Sequence, residues 1–416
     1  MRFEKLDIQQ WQQFETVDIT FHKSLTIITG ANGSGKTTLL NFLAKHSGWE
    51  MTSLAVPKAE KNGFWKFCSR LFRGADKSND NVIGTLKYDN GNISKLTIPN
   101  QTSQSYHISL SQQQQVRCFF IPSHRSIFRY EQLSNIPTQK KRKETAFSEV
   151  SNATKNTYFG GISGSRQSAS FFMKSTLIGW AIQGYGVTNG EKQVMPADIE
   201  QKTNYEGFQE VLRKVLPKTL GFNEFEIRGM EIVFICNDGN DEFLLETASG
   251  GISAIIDLAW QIYMFNVNEK EAFTVIIDEI ENHLHPSMQR SILPDFINAF
   301  PNATFIVSTH SPLVVNSVRN SKVYVLKYTE DKKVINTELD FNNKAKSANE
   351  ILDEVLGVSF SMPIWAEEEL TRIMEKYSKE IISKENILQL HQDLTSLGME
   401  KLLPQNLDKL NFGVNE

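Results

Sequence analysis

The chain is poor in cysteine. Its three, Cys68, Cys118 and Cys236, lie far apart with no C-x-x-C pair. That excludes a disulfide framework and a cysteine-built zinc site, and leaves small buried hydrophobes or free thiols. Long apolar runs are missing too. No stretch reaches the roughly 18 residues of a membrane helix, and the amino terminus is not a basic-then-apolar leader, so a cytosolic protein without a membrane partner is expected. There is no surplus of positive charge. With 44 basic and 48 acidic residues the net charge is −4, so nucleic acid could be met only through a local patch. No heptad run is long enough for an extended coiled coil. What remains, 416 residues of which 40% are hydrophobic and 22% charged, is ordinary globular material for a large core or two to three domains.

The rest of the chain is organised around residues 24–38, SLTIITGANGSGKTT. Ser24–Thr29 is an apolar, β-branched run that reads as a buried strand. It breaks into Gly30, Ala31, Asn32, Gly33, Ser34, Gly35, Lys36 and Thr37, the phosphate-loop pattern G-x-x-x-x-G-K-[ST], and an apolar helix-like segment follows from Thr38. Glycines let successive backbone N–H groups curl inward onto phosphate oxygens. The helix adds the positive end of its dipole. Lys36 can reach the β- and γ-phosphates, and the Thr37 hydroxyl can ligate Mg²⁺.

Before this loop, residues 1–22 alternate as antiparallel strands with one buried face. After it, residues 58–77 carry six basic and two acidic residues with Trp65, Phe67, Leu71 and Phe72 interleaved. Two readings stand there: a nucleic-acid or partner surface, or a short helix with buried rings and solvated lysines. Asn90-Gly91 marks a hairpin within Gly84–Ile98, and Val116–Ile121 is a buried-strand candidate ending in Pro122-Ser123-His124-Arg125. Residues 126–206 are the least patterned and read as an insertion. Within it, Lys140-Lys141-Arg142-Lys143 is a solvated loop or a phosphate contact, and Ser170–Ile182 is an apolar helix. A helix Phe208–Leu216, a strand Phe225–Cys236 and a hairpin with Phe243–Leu245 follow.

Thr247-Ala248-Ser249-Gly250-Gly251 precedes a helical stripe from Ile252 to Phe265. Ser249 and the two glycines therefore sit at a helix amino terminus, whose free N–H groups suit an anion or simply form a cap. Phe273–Ile277 is a buried strand ending in Asp278-Glu279. One carboxylate there can serve the metal beside the phosphate loop, and the other can orient and deprotonate a water. A further strand, Thr304–Val307, ends in Ser308-Thr309-His310. A histidine at that end is either structural or placed to touch a γ-phosphate, since α/β sheets bind ligands at the carboxyl ends of their strands.

Gly30–Thr37, Ala248–Gly251, Val275–Glu279 and His310, in that order, resemble ATP-binding-cassette ATPases. The resemblance is to the non-transporter branch of RecF, SMC and overcoming-lysogenisation-defect (OLD) proteins. IIDEIENHLHP and STHSP look especially like OLD-type prokaryotic ATPases, including the ATPase subunits of anti-phage systems such as Septu and PARIS. The resemblance implies an α/β head of mixed sheet, antiparallel at the amino terminus and parallel at the core, over residues 1–345, with the insertion at about 126–206. A C-terminal helical subdomain would occupy 346–416, without a metal-nuclease (Toprim) domain. It implies ATP and Mg²⁺ as ligands. Gly30, Asn32, Gly33, Ser34, Gly35, Lys36 and Thr37 would hold phosphates, Thr38 the α-phosphate, and Thr37 with Asp278 the metal. Glu279 would polarise the attacking water, with Lys36 and His310 at the γ-phosphate. Ser249, Gly250 and Gly251 would reach the nucleotide of a second copy, giving a homodimer around two ATP molecules that could build a higher oligomer. Two departures stand out: Ala248 where transporters carry leucine, and Ser123-His124-Arg125 where a lid glutamine is expected.

Beyond residue 340, Ser347–Glu350 is a capping box. Leu370–Ile381 and Ile387–Leu397 are spaced as a helical pair, either a domain-closing cap or an arm for a partner. The expectation is a slow, dimerising ATPase that regulates a separately encoded nuclease or toxin in anti-phage defence. The alternatives are a RecF-like DNA-binding repair protein and a transporter subunit.

Overall fold

The computed structural model describes residues 1–59, 65–68, 81–99, 104–160, 167–339, 364–378 and 384–396. The chain divides into two compact units, residues 1–348 and 349–416.

Strand β1 (Phe3–Trp11) and β2 (Phe14–Thr20) pair antiparallel, with Leu6 opposite Ile19 and Ile8 opposite Val17. Their alternation puts Leu6, Ile8, Val17 and Ile19 into the core while Asp18 and Lys5 pair at the surface. β3 (Leu25–Gly30) is buried along its whole length, which is why its sequence, Leu-Thr-Ile-Ile-Thr-Gly, carries no charge and does not alternate apolar with charged residues. Helix α1 (Lys36–Ala44) follows the loop. Two short ribbons come next: β4 (Ser53–Leu54), later paired with β9 (Ser105–Tyr106), and β5 (Val56–Ala59) with β6 (Trp65–Cys68). The helix reading of the basic segment is thus corrected at 65–68, which is extended and strand-paired; most of the rest of 58–77 lies outside the described residues. β7 (Val82–Tyr88) and β8 (Ile93–Thr97) form the Asn90-Gly91 hairpin, joined at its edge by β10 (Ser109–Ser111).

β11 (Cys118–Ile121) enters the region read as an insertion. That region is mostly helical: α2 (Lys143–Tyr158), α3 (Ala169–Tyr185) and α4 (Ile199–Val215), with the hairpin β12 (Val187–Asn189) and β13 (Lys192–Met195) between the last two. α3 is buried nearly all round, so it shows no amphipathic stripe to read. α4 starts earlier than the expected Phe208, because Asp198 caps its polar first turn by accepting from the Glu200 and Gln201 amides. The basic run is partly solvated, as one of the two readings had it: Lys140 and Arg142 are exposed, while its three lysines have partners within the protein. Lys140 pairs with Asp198 and Glu200, Lys141 with Glu149, and the Lys143 ammonium lies 3.5 Å from the centre of the Tyr263 ring.

The expected strand Phe225–Cys236 is two strands. β14 (Phe222–Arg228) turns at Gly229-Met230, both at positive φ, into β15 (Glu231–Cys236), and β16 (Asp241–Leu244) completes a small sheet. α5 (Gly250–Phe265) follows and is buried on most of its surface. Trp260 stacks on Trp180 of α3 with ring centres 6.1 Å apart, a contact worth about 1 kcal/mol beyond its buried area. Then come β17 (Phe273–Ile277), α6 (Pro286–Ala299), β18 (Ala303–Thr309), α7 (Pro312–Val315), β19 (Lys322–Tyr328) and β20 (Val334–Leu339).

The main sheet has the order β10-β8-β7-β1-β2-β20-β19-β3-β18-β17-β11. From β19 to β11 the strands are parallel, in a register that sets Thr29 beside Thr309, Val307 beside Ile277 and Ile277 beside Ile121. Four strand ends therefore reach one edge together, and the segments after Gly30, Ile121, Ile277 and Thr309 meet there. The class is α/β, as expected.

Cys118 and Cys236 are buried free thiols; burial pushes the Cys118 thiol up to about 12. In the second unit, helices Ile364–Ser378 and Lys384–Ser396 pack through Leu370, Leu390 and Leu394, with the Tyr377 hydroxyl donating to Asp393 at 2.9 Å. The expected capping box at Ser347 lies outside the described residues.

Candidate nucleotide site

The loop from Gly30 to Thr37 has room for little but glycine at two places. Gly30 has φ +145°, and a Cβ there would stand 2.5 Å from the Leu326 carbonyl oxygen. Gly35 has φ +97°, and its Cβ would stand 2.3 Å from the Phe14 ring. The tip between β1 and β2 is thus packed directly on the loop. Gly33 is also at positive φ. Asn32 faces solvent, and the buried Ser34 hydroxyl has no protein partner. Thr38, the third residue of α1, lines a cavity of about 230 Å³ with Trp11, Gln12 and Asn41.

Lys36 is 5% exposed. Its ammonium donates to the carbonyls of Gly30 at 3.1 Å and Ala31 at 3.2 Å, and lies 3.4 Å from His310 Nδ1. Burial lowers its pKa, opposed by Glu279, Asp278 and Glu281. For His310, burial and then the Lys36 charge lower the pKa, so the imidazole is neutral at pH 7. Lys36 has only protons to offer, so Nδ1 accepts and Nε2 carries the ring hydrogen. Nε2 is 3.8 Å from Glu279 Oε1.

Asp278 is 2% exposed. It accepts from Thr37 Oγ1 at 2.9 Å and from the Ser308 hydroxyl. Burial raises its pKa, while these two donors lower it. Glu279 stands at φ +46°, in the left-handed region, a conformation that costs a non-glycine residue on the order of 1 kcal/mol or more. Its amide donates to Ser308 Oγ at 2.8 Å, and its carboxylate accepts from Asn282 at 2.8 Å. Ser308 thus serves both acids from the neighbouring strand. Glu281 accepts the His310 amide through one oxygen, and its other oxygen is buried without a partner.

These residues converge because parallel register brings three strand ends together. Ser249, Gly250 and Gly251 stand apart from them. They open α5 as expected, Ser249 and Gly250 face solvent, and the Ser249 side chain caps nothing. A Cβ on Gly251 would meet the His283 carbonyl at 3.1 Å.

For a divalent cation the fit is good. The Thr37 hydroxyl and Asp278 carboxylate are hard oxygen donors already in contact. Mg²⁺ takes few protein ligands and completes its shell with water and phosphate, so one hydroxyl and one carboxylate are enough from the chain. Sequence reasoning missed Asn282 and Arg125 as parts of this cluster. Asn282 lies within IIDEIENHLHP but had no task assigned there, and only the fold brings residue 125 beside 278.

Residues 3–44 match the phosphate-loop region of the AAA domain. Over 91% of its length the chain is 23% identical to the "Retron Vc95 probable ATPase" of Vibrio cholerae, covering 83% of that protein. It is 32% identical over 32% of its length to the "Septu protein PtuA" of Bacillus mycoides, where it spans about a fifth (19%) of that relative. Among solved structures it is similar to the SMC head domain from Thermotoga maritima, at 14% identity and TM-score 0.42, covering 82% of this chain and 99% of that one. Residues 25–316 match the family described as "AAA domain, putative AbiEii toxin, Type IV TA system", and the chain belongs to that family of phosphate-loop ATPases.

Proposed function

We propose that this chain binds ATP with Mg²⁺, hydrolyses it slowly, and works as a dimer that clasps two ATP molecules to govern a separately encoded effector, a nuclease or toxin, in anti-phage defence. The observation that carries the reading is the meeting of Lys36, Thr37, Asp278, Glu279 and His310 at one sheet edge.

In this reading Lys36 leaves the Gly30 and Ala31 carbonyls for β- and γ-phosphate oxygens, and the loop amides take the remainder. Thr37 and Asp278 would hold Mg²⁺, Asp278 through water. The ion, when bound, neutralises charge on the phosphates. Glu279 accepts a proton from the attacking water and keeps it in line. Neutral His310 donates a ring N–H to the γ-phosphate. Ser249 and Gly251 of a second copy would close over the same phosphate, which agrees with the exposure of Ser249 and Gly250 at a helix amino terminus. The likeness to a retron ATPase and to PtuA supports the defence role.

The test is ATP binding by calorimetry and phosphate release, with Lys36→Ala and Glu279→Gln beside wild type. K36A should lose binding, and E279Q should keep binding while losing at least about 100-fold in turnover. Wild-type protein that binds no ATP would end the proposal. For the defence role, cells carrying the chain with its neighbouring genes should lose phage protection on K36A; protection that survives would refute it.

A further inference from the structure

We propose that Arg125 is a positioning residue: it holds the backbone of Glu279 in its left-handed turn and ties that turn to the helix that carries Ser249. The inference rests on the roles proposed above for Glu279 and Ser249.

Arg125 follows β11, the strand beside β17, where the resemblance leads one to expect a lid glutamine. It is 8% exposed. Nη2 donates to the carbonyl of Asp278 at 3.2 Å and of Glu279 at 3.2 Å, and Nη1 donates to the Pro122 carbonyl. These carbonyls lie where β17 leaves the sheet, and the positive φ at Glu279 turns its carbonyl out of the ladder. A planar guanidinium can span several such acceptors at once; an ammonium cannot match that fork.

Arg125 also lines a cavity of about 240 Å³ with Gly250, Ser253 and Ala254 of α5. Asp257, two turns after Ser249, is 1% exposed, and its charge offsets part of the cost of burying the Arg125 guanidinium. Its Oδ2 accepts from Gln261 at 3.0 Å, while its Oδ1 and Arg125 Nε have no partner. Arg125 therefore sits between the helix that would meet a second copy's nucleotide and the turn that aims the water-polarising acid. A shift of α5 changes the field on the guanidinium that holds that turn.

The test compares Arg125→Ala, Arg125→Lys and Asp257→Asn with wild type, by hydrogen exchange of the 279–282 amides in nucleotide-free protein and by ATPase kinetics. The expected result for R125A is exchange at least about 10-fold faster at 279–282 and kcat about 10- to 100-fold lower with KM within about 3-fold. R125K, which keeps the charge, should hold the fold and still lose kcat. D257N should move kcat in the same direction, and R125A should add nothing to E279Q. Unchanged exchange, or a KM that rises in step with the loss of kcat, would overturn the proposal. A wild type that hydrolyses no ATP would refute the proposed function instead, and the exchange arm would still decide the clasp. Should R125A fail to fold, R125K carries the same comparison.

Discussion

His46 should make the protein acid-sensitive in a window that can be named. Nδ1 lies 3.1 Å from the Leu43 carbonyl, so it carries the hydrogen; Nε2 must then accept from the Tyr88 hydroxyl at 2.8 Å. The Phe3 ring stands edge-on to the imidazole at 4.9 Å between centres. A second ring proton would force that hydroxyl to turn its hydrogen onto Ser94 Oγ, 2.9 Å away, and would place a charge beside the Phe3 ring in a largely buried site. Burial accordingly lowers the pKa from 6.5 to about 4. The folded state binds fewer protons than the unfolded state between those values. The stability from neutral His46 is thus complete above about pH 6.5 and is lost as pH falls through about 4. Two and a half units amount to about 3 kcal/mol in full, and about 2.5 kcal/mol by pH 4.5. Urea unfolding of wild type and His46→Asn, followed by tryptophan fluorescence from pH 7.5 to 4.5, measures this. The gap between the two curves should shrink by about 2.5 kcal/mol across that range. Curves that stay parallel would refute the reasoning.

Gly35→Ala adds a Cβ 2.3 Å from the Phe14 ring at a backbone φ of +97°; it should cut ATP affinity at least about 10-fold by calorimetry and lower the melting temperature. Lys174 is fully buried between Glu231 and Glu246. Lys174→Met strands the buried Glu246 and leaves Glu231 the Tyr130 hydroxyl alone, and should destabilise by about 3–5 kcal/mol in denaturant titration. The Cys118 thiol, pushed up to about 12 by burial, should resist a disulfide reagent at pH 8 in folded protein and react in urea.

The centre of the site was legible because its chemistry is local. A strand, a glycine loop and a lysine declare themselves within fifteen or so residues, and Asp278-Glu279 closes an apolar strand. Other features were hidden for physical reasons. The β14–β15 turn reads as strand because apolar residues lie close by on both sides, Phe225 and Ile227 before Arg228 and Ile232 to Ile235 after Glu231. α3 reads as an apolar helix with no stripe because it is buried nearly all round and has no polar face. The lysines of 140–143 looked free because their partners, Glu149, Asp198, Glu200 and the Tyr263 ring, come from other elements. Arg125 was visible only as a departure from a pattern. Its task depends on β11 lying next to β17, a pairing across more than 150 residues that no window of sequence contains.

The central claim, that two copies close on ATP, is tested most directly by the mass of Glu279→Gln in solution by light scattering, with and without Mg·ATP. The single chain is 47.3 kDa. The account predicts that this mass doubles with ATP, and that adding Ser249→Arg restores the single-chain mass while ATP still binds. A mass that stays at one chain when ATP saturates the protein, or a doubled mass indifferent to Ser249→Arg, would contradict it.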